Sequence, residues 1–400
     1  MANELLAFST ILREAMSIFE NACVAAKTVN RRYESKLGDF GESFYVPIPE
    51  TPTVSDGPTL DLKDTAPSKV LVTLDKQKHT DFTFTSKERT LNINQFSDLF
   101  LRPRMEALAN QVDVDLLNLT KSVSMSVGTA GTGPTSILVP MQASQALTEH
   151  GVPMNDRHLI LSPQGKTRLL GTATSGVVHM ANPGIPAGEA YKNAAMGMIA
   201  GAMALESPNT YTHTVGSDVT MGNWASGGDT EGATTLVAAA AGTLTVGDVF
   251  TIGALGTAGS VLDVNPITKA TLPRLKQFVV TAVNTNTTTI TFSPPIYAAS
   301  GPNKNVSNVP SGTVAITFVG TASTAYGQDV MYHRDAFGLV TADLVMPEGV
   351  DVGARHNHKG ISMRLVRDYD IVNDRFPCRI DILYGVVAYR PHTHACRITN

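Results

Sequence analysis

NQFSDLFLRPRMEALANQVDVDLLNLTKSVSMSV, residues 94–127, is the stretch around which the rest of the chain is arranged, and its second half predicts one long amphipathic helix. Its apolar residues recur in steps of three and four, the spacing of one face of an α-helix. They are Met105, Leu108, Val112, Leu116, Leu119 and Val123. The residues between them define a solvated face and are Arg104, Glu106, Asn110, Gln111, Asp113, Asp115, Asn118 and Lys121.

Pro103 marks the start of this helix, because the first helical N–H groups have no internal partner and a proline there costs little. We expect a short helical run near residues 95–101, followed by a helix of about six turns and roughly 35 Å in length. The pattern on its own is more typical of an ordinary core helix. Its role therefore depends on the rest of the chain.

The composition predicts a globular protein that shares much of its surface with other protein. The 400 residues are enough for two or three domains with sizeable cores. Charged residues make up 16% of the chain, whereas about 25% is usual. The formal net charge of -4 argues against tight nucleic-acid binding, which normally needs a strongly basic surface.

The chain shows neither a signal peptide nor an apolar run long enough to cross a membrane, so we expect a soluble protein that is cytosolic when made. Its three cysteines, Cys23, Cys378 and Cys396, are widely spaced. An odd number at such spacing makes a disulfide framework improbable.

Before the long helix, two further elements are predicted. Residues 3–34 form a helix candidate whose apolar stripe comprises Leu5, Phe8, Leu12, Ala15, Phe19 and Cys23. Residues 44–90 then alternate with period two, which predicts strands at 44–48, 70–74 and 82–84. A turn at 75–81 would join the last two in a long antiparallel hairpin. Such a hairpin is only marginally stable alone, so it must lean on this chain or another.

After the long helix, residues 135–206 predict a mixed α/β domain. Its elements are a helix at 141–150, a strand at 157–161, a helix start at 163–170 and an apolar helix or strand at 194–204. Residues 211–325 then contain only nine charged residues and many Thr, Gly and Ala. Strands predicted at 244–252, 277–283, 288–292 and 313–318 favour an inserted β-barrel or sandwich whose ends lie close together. Residues 361–367 and 378–389 predict two further strands, the second buried.

Two groups of residues resemble ligand-binding motifs. Gly165-Lys166-Thr167 resembles the end of a phosphate-binding loop, but that motif needs a glycine where Ile160 stands, so a helix-opening turn is favoured. His356 and His358 form one group of metal-binding residue types. A second group is His392, His394 and Cys396, which alternate along an extended chain. Without a carboxylate nearby to orient the imidazoles, a polar chain terminus is the better interpretation.

The mixed-charge run near Asp368 and Asp370 is the remaining catalytic candidate. Its neighbours are Arg364, Arg367, Asp374 and Arg375. Alternating signs are more typical of a solvated face or an intersubunit salt-bridge strip. Asn118 and Thr120 match a glycosylation acceptor that matters only on a secretory route. No hydrolase elbow, zinc-protease or dinucleotide motif occurs. We therefore predict no catalytic, cofactor-binding or metal site, and a structural protein rather than an enzyme.

Four stretches in the same order carry a resemblance to a known family. They are 26–33 (AKTVNRRY), 102–109 (RPRMEALA), 332–337 (YHRDAF) with 346–349 (MPEG), and 378–386 (CRIDILYGV) with 390–391 (RP). With these, and with an insertion at the corresponding place, the sequence resembles the major capsid proteins of tailed bacteriophages. It is most similar to the podovirus type, which has the α+β HK97-like fold and an extra inserted β-domain.

The resemblance implies a role for each segment. These are an N-arm (1–43), an E-loop hairpin (44–92), the spine helix of the peripheral domain (93–134), the axial domain (135–210 and 327–368), an inserted β-barrel (211–326) and return strands of the peripheral domain (369–400). It implies a homo-oligomeric shell of pentamers and hexamers around double-stranded DNA, with a scaffolding protein, a portal and a decoration protein as partners. The expected location is the virion, after assembly in the bacterial cytoplasm without a membrane.

Two alternatives remain open from the sequence. One is a bacterial nanocompartment shell of the same fold, against which the insertion and the phage-like arm argue. The other is a soluble enzyme with a site near Asp368 or His356. An enzyme is expected to remain a small oligomer, whereas a coat protein forms large shells.

Overall fold

The computed structural model describes residues 8–33, 43–49, 54, 57–58, 68–85, 101–171, 196–358 and 360–400. The α-helices of these ranges are α1 Phe8–Ala22, α2 Arg102–Leu117, α3 Leu138–Glu149 and α4 Pro163–Gly171. None of them is long and apolar enough to cross a bilayer. The strands are β1 Ser43–Ile48, β2 Ser68–Thr73, β3 Lys76–Thr85, β4 Ser126–Val127, β5 Arg157–Leu161, β6 Met198–Ile199, β7 Ala202–Glu206, β8 Tyr211–Thr214, β9 Trp224–Gly227, β10 Ala233–Leu244, β11 Val249–Ile252, β12 Leu262–Val264, β13 Thr271–Leu275, β14 Gln277–Val280, β15 Asn284–Ile296, β16 Ile316–Phe318, β17 Ala325–His333, β18 Phe337–Ala342, β19 Val352–His358, β20 Ile361–Arg367, β21 Arg375–Ala388 and β22 Ala395–Thr399.

The chain divides into two compact units, each built from three segments. The first comprises Met1–Val46, Lys69–Leu117 and Phe337–Val387, and the second comprises Pro47–Ser68, Asn118–Ala336 and Ala388–Asn400. Helices and strands occur in both units, which confirms the predicted α+β class.

In the first unit, α1 packs against α2 and β19. The predicted apolar stripe of α1 is buried at Leu12, Ala15 and Phe19, as is Cys23 just beyond its end. After a 3-10 turn at Ala25–Lys27, Asn30 forms a bridge with Gly338 at the start of β18. The N-terminal helix is therefore continued by a segment that is hydrogen-bonded to the sheet.

The long helix is shorter than predicted. Its α-helical part ends at Leu117, and a 3-10 helix, Asn118–Ser122, follows. The predicted solvated position of Asp113 is wrong, because this residue is only 1% exposed and its carboxylate accepts backbone hydrogen bonds from the end of the N-terminal helix. The short helical run predicted at 95–101 lies outside the described residues except for Leu101.

The predicted hairpin between 70–74 and 82–84 is wrong in its pairing. β2 pairs with β1, and β3 pairs antiparallel with β21 over ten residue pairs, from Thr85 opposite Arg375 to Lys76 opposite Tyr384. The turn expected at 75–81 is replaced by the first half of β3. β21 is a long, largely apolar strand, and pairing with it satisfies the backbone N–H and C=O groups along one edge of β3. The strands predicted at 361–367 and 378–389 are confirmed as β20 and β21.

In the second unit, a mixed sheet has the strand order β4-β22-β17-β5-β7-β6, with β8 also paired to β17. The strand predicted at 157–161 and the helices predicted at 141–150 and 163–170 are confirmed as β5, α3 and α4. The apolar segment near residue 200 forms β6 and β7. The hydrophobic core between this mixed sheet and its helices includes Leu147, Leu159, Met331 and Ile398.

The low-charge stretch forms a six-stranded sheet of order β16-β11-β14-β15-β10-β9. A bridge between Asn223 and Ala315 brings its two ends together, so that the sheet is a nearly closed barrel. The rings of Phe250, Phe278 and Phe292 meet in its core with centroid distances of 5.1–5.8 Å. The two connections to the barrel pair as β8 and β17, which confirms that its ends lie close together.

One strand predicted within this barrel is wrong. Residues 244–252 do not form a single strand, because β10 ends at Leu244 and β11 begins at Val249. The Asp248 carboxylate accepts the backbone N–H of Thr245 at 2.7 Å, which closes the turn. Asp and Asn favour such turns because their side chains bond the nearby backbone.

Candidate functional site

The 3-10 turn that follows the N-terminal helix is held by a carboxylate of α2. Asp113 Oδ2 accepts the N–H of Val24 at 2.6 Å, and Oδ1 accepts the N–H of Ala26 at 3.1 Å. Burial raises the pKa of Asp113, while the hydrogen bonds from these backbone N–H groups lower it. α2 thus anchors the segment that follows α1.

A second carboxylate of α2 joins the helix to the sheet of the first unit. The Tyr384 hydroxyl donates to Asp115 Oδ2 at 2.6 Å, and Lys76 Nζ lies 3.0 Å from Asp115 Oδ1. Burial, together with Asp115, raises the pKa of Tyr384 above its ordinary value. Because Lys76 begins β3 and Tyr384 is its partner on β21, these three residues fix the register of β3 against β21.

In the second unit, Arg397 joins the barrel to the last strand. Its guanidinium donates to the carbonyl oxygen of Val123 at 2.7 Å and to that of Gly247 at 2.8 Å. A further bond reaches the carbonyl of Lys121. Burial lowers the pKa of Arg397 to about 10. The cation is thus balanced by backbone dipoles, including those at the end of a 3-10 helix.

Asp263 of β12 is at the centre of a charged network. The network lies where β12 and β13 meet the end of α3, a region called here the base of the barrel. The Asp263 carboxylate lies 2.8 Å from His150 Nε2, 2.9 Å from Lys276 Nζ and 2.8 Å from an Arg274 Nη atom. Burial raises the pKa of Asp263, but Lys276, His150 and Arg274 together hold it well below its usual range. Arg274 also pairs with Glu149 at 2.9 Å. The barrel is therefore tied to the end of α3 by charge-assisted bonds.

Gln277 adds a neutral link to the same base. Its amide accepts the N–H of Ser126 at 2.7 Å and donates to the Ser126 carbonyl at 2.9 Å. Ser126 lies on β4, at the edge of the mixed sheet. The Gln277 amide therefore makes with the backbone of this edge strand the same two kinds of hydrogen bond that a neighbouring strand would make.

The phosphate-loop candidate is a helix start. Gly165, Lys166 and Thr167 lie in the first turn of α4, where the Gly165 N–H is capped by Ser162 Oγ at 2.9 Å. Lys166 pairs with Glu206 at 2.6 Å.

The predicted metal-ligand types are not brought together. His356 and His358 stack at 6.5 Å, and His358 lies 3.4 Å from Glu20. His392 is hydrogen-bonded to two serines, Ser124 and Ser293. His394 Nδ1 contacts Thr393 Oγ1 at 2.8 Å, and Cys396 is buried. No three His, Cys, Asp or Glu residues in the described part of the chain are grouped to hold a metal ion.

The mixed-charge run lies at the β20–β21 hairpin, where Arg364 and Asp368 also line an open pocket beside β3. Asp370 accepts N–H groups of its own turn, from Val372 and Asn373. Arg364 pairs with Asp381 at 2.6 Å, and Arg367 pairs with Asp351. Asp368 bonds the adjacent Tyr369 N–H at 2.8 Å. The charged side chains of this run therefore stabilise local turns and form ion pairs. Thr120, of the glycosylation-like motif, is buried.

The decisive comparison is with protein families. The model of the family "P22 coat protein - gene protein 5" matches residues 1–399. The chain belongs to this coat protein family. It is a structural major capsid protein that forms a shell, as predicted. No curated protein sequence matches it.

Solved structures similar to this coat protein include phage capsids. A Mycobacterium phage Che8 chain has a TM-score of 0.49 at 14% identity, covering 94% of this chain and 90% of that one. The capsid of cyanophage P-SCSP1u has a TM-score of 0.44 at 11% identity over 90% and 83%. A virus-like particle from Pyrococcus furiosus has a TM-score of 0.40 at 8% identity over 97% and 96%. With all three scores below 0.5, membership rests on the family match.

Two hairpins of the coat protein each carry a pair of exposed apolar side chains. Ile371 and Val372, at the β20–β21 tip, are 81% and 84% exposed. Met198 and Met203 are paired across β6 and β7 and are also exposed. Large apolar residues left in solvent often mark protein–protein contacts.

Sequence reasoning missed the buried polar residues that hold these elements. Asp113 was placed on a solvated face, and Arg397 and Asp263 were not singled out. One signal was present: Asp263, Arg274 and Lys276 are three of the nine charged residues in 211–325. Charges that are rare in a segment and close together have a greater chance of being paired inside it.

Proposed function

We propose that this coat protein assembles as pentamers and hexamers of an icosahedral phage head that encloses double-stranded DNA. The observation that carries the proposal is the family match along residues 1–399. Many interfaces of moderate area, repeated by symmetry, are enough to stabilise a closed shell.

The segment roles follow the HK97-like arrangement. We propose an N-arm at 1–43, an E-loop at 44–92, the spine helix at 93–134, the axial domain at 135–210 and 327–368, the inserted barrel at 211–326 and return strands at 369–400. The anchoring of α1 by Asp113 and the pairing of β3 with β21 support the first three, because an arm or loop that reaches a neighbour needs a rigid base.

The proposed partners are a scaffolding protein, a portal and a decoration protein, with assembly in the bacterial cytoplasm and the virion as the final location. A net charge of -4 is compatible with a wall that does not hold packaged DNA tightly.

Electron microscopy of the protein expressed alone and with its neighbouring genes tests the proposal. We expect uniform polyhedral shells with the neighbouring genes, and shells or irregular spirals without them. A homogeneous dimer or tetramer under every condition would refute it. Nucleic acid inside particles from infected cells distinguishes a phage head from a nanocompartment, which would enclose protein.

A further inference from the structure

An open pocket of about 770 Å³ lies on the sheet of the first unit, beside the β20–β21 hairpin. Its floor belongs to one face of β3, β20 and β21, since successive side chains of a strand point to opposite faces. Leu365 and Ile380, which are paired across β20 and β21, are buried on the other face. Thr83 and Pro377, which are paired across β3 and β21, are exposed on the face of the pocket. The pocket is therefore a concave part of a sheet face that is open to solvent.

The charged side chains of the pocket are paired with one another. Arg364 lies 2.6 Å from the Asp381 carboxylate, which also pairs with Arg379. Asp81 lies 2.9 Å from His79 Nδ1. Asp381 is fully buried, so its two arginine partners supply the neutralising charge that a buried carboxylate needs. An ionic ligand is therefore not what the pocket is built to hold.

The rest of the pocket offers apolar surface. Its apolar lining includes Pro347, Val366 and Pro377. Val366 is half-buried, and both prolines are exposed. The segment that carries Pro347 is fixed by Arg364, whose guanidinium donates to the carbonyl of Val345. A site whose walls are already ordered loses less entropy when it is filled. The pocket therefore favours an apolar occupant.

The tip of the β20–β21 hairpin, beside the pocket, presents an apolar surface that protrudes. Ile371 and Val372 are 81% and 84% exposed. The turn that carries them is ordered, because the Asp370 carboxylate accepts the N–H of Val372 at 3.0 Å and the side-chain amide of Asn373 at 2.7 Å. At these exposures the two side chains do not fill the pocket of their own chain. They are apolar groups held in solvent on a rigid turn, as at many contact sites.

We propose that the hairpin tip of one copy, at Ile371 and Val372, inserts into the pocket of a second copy, against Val366 and Pro377. This inference rests on the proposed assembly of many copies. Each copy carries one tip and one pocket, so the two surfaces are always present in equal number. Two such surfaces on one chain make a contact that can repeat from copy to copy.

The area of the contact favours a second copy over a separate partner protein. Covering both tip side chains removes on the order of 600 Å² in total from water, about half of what a stable pairwise interface buries. A separate partner held by this contact alone would bind weakly. Copies of one chain gain from repetition, since each further contact within an assembly is intramolecular.

Cysteine cross-linking of the full-length chain under assembly conditions tests the contact. An introduced surface thiol is the reactive one, because the natural cysteines are buried, namely Cys23, Cys378 and Cys396. The variants Val372→Cys and Thr83→Cys are mixed and treated with a short bis-maleimide, and linked peptides are identified by mass spectrometry. We expect a peptide that links positions 372 and 83. Adding Ile371→Ser to the tip variant is expected to slow this cross-linking about tenfold, because burial of an apolar side chain of this size contributes at least that factor.

Two matched controls make the result specific. Val283→Cys, at a 68% exposed position of the barrel, replaces Thr83→Cys and is expected to give no link to position 372. Leu255→Ser, at a 61% exposed position, replaces Ile371→Ser and is expected to leave the rate unchanged. If Val372→Cys does not fold, Ile371→Cys gives the same comparison.

Three results overturn the proposal. They are links between two copies of position 372, which would mean that tips meet each other, equal linking to position 283, and no link at all. Electron microscopy of the same samples separates this inference from the proposed function. Shells without a link between positions 372 and 83 refute the contact alone. Absence of shells refutes the proposed function, whether or not the link forms.

Discussion

Asp113 Oδ2 accepts the backbone N–H of Val24 at 2.6 Å across 89 positions of sequence. Val24 is the N-cap residue of the 3-10 turn Ala25–Lys27, and its own side chain makes no capping bond. The first N–H groups of any helical turn lack internal partners. Helix α2 therefore supplies the cap that the local sequence lacks.

Asp113→Asn is expected to destabilise the protein by about 1–3 kcal/mol, because the amide nitrogen turns a donor toward a buried N–H and leaves it unsatisfied. Urea unfolding of the unassembled chain measures the effect. Glu106→Gln, on the exposed face of the same helix, is the matched control and is expected to change the stability very little. Equal stabilities for the two variants would show that Asp113 does not anchor α1.

The position of Asp113 also shows where sequence reasoning reaches its limit. Helical periodicity assigns a polar residue beside an apolar stripe to solvent, and Glu106 and Asn110 are indeed exposed. Asp113 differs because its partner, the end of α1, lies 89 positions away. A single sequence contains no information about that partner, so the burial of one acid among several was not predictable.

Strand pairing shows the same limit. The alternation of apolar residues identified β1, β2 and part of β3, because side chains that alternate between faces leave a local pattern. It did not identify the partner of β3, which is β21 rather than the adjacent β2. Pairing depends on which distant strand offers a matching backbone and face, and hairpin rules address only sequence neighbours.

Arg397→Met is expected to cost about 3 kcal/mol or more, because several buried carbonyl groups lose their donor and each unsatisfied group costs about 1–3 kcal/mol. Arg397→Lys is expected to recover only part of this, since an ammonium cannot reproduce the planar fork. The yield of soluble protein and its thermal unfolding report the result.

Arg375→Lys is the control for Arg397, because Arg375 is exposed. Wild-type stability in Arg397→Met would mean that the barrel does not depend on this cation for its attachment to β22.

Asp263→Asn is expected to destabilise the protein by about 3–5 kcal/mol, because it leaves Lys276 and Arg274 without a buried counter-charge. The change is at the base of the barrel, so protection of β12–β14 amides in hydrogen exchange should fall first. Asp229→Asn, at an exposed position of the same barrel, provides the comparison. If Asp229→Asn has the larger effect, the network is not what holds the base.

The buried carboxyl group of Asp329 is expected to make the free energy of unfolding depend on pH, and one substitution should remove this dependence. Its Oδ1 accepts the Ser162 N–H at 2.7 Å, while its buried Oδ2 has no hydrogen-bond partner among the described residues. Burial raises the pKa of Asp329 from 3.8 to about 6. The native state therefore binds the proton more tightly than the unfolded state. The contribution of Asp329 to the free energy of unfolding is therefore fully present below pH 3.8 and is lost as the pH rises through about 6.

Asp329→Asn keeps the shape and removes the charge, so it is expected to raise the free energy of unfolding at pH 7 by on the order of 2 kcal/mol. Below pH 4 the two proteins should be nearly equal, because wild-type Asp329 is then neutral as well. Urea unfolding at a series of pH values between 4 and 8 measures the difference. A gap that is constant over this range would mean that Asp329 does not titrate there, and that the variant acts through packing alone.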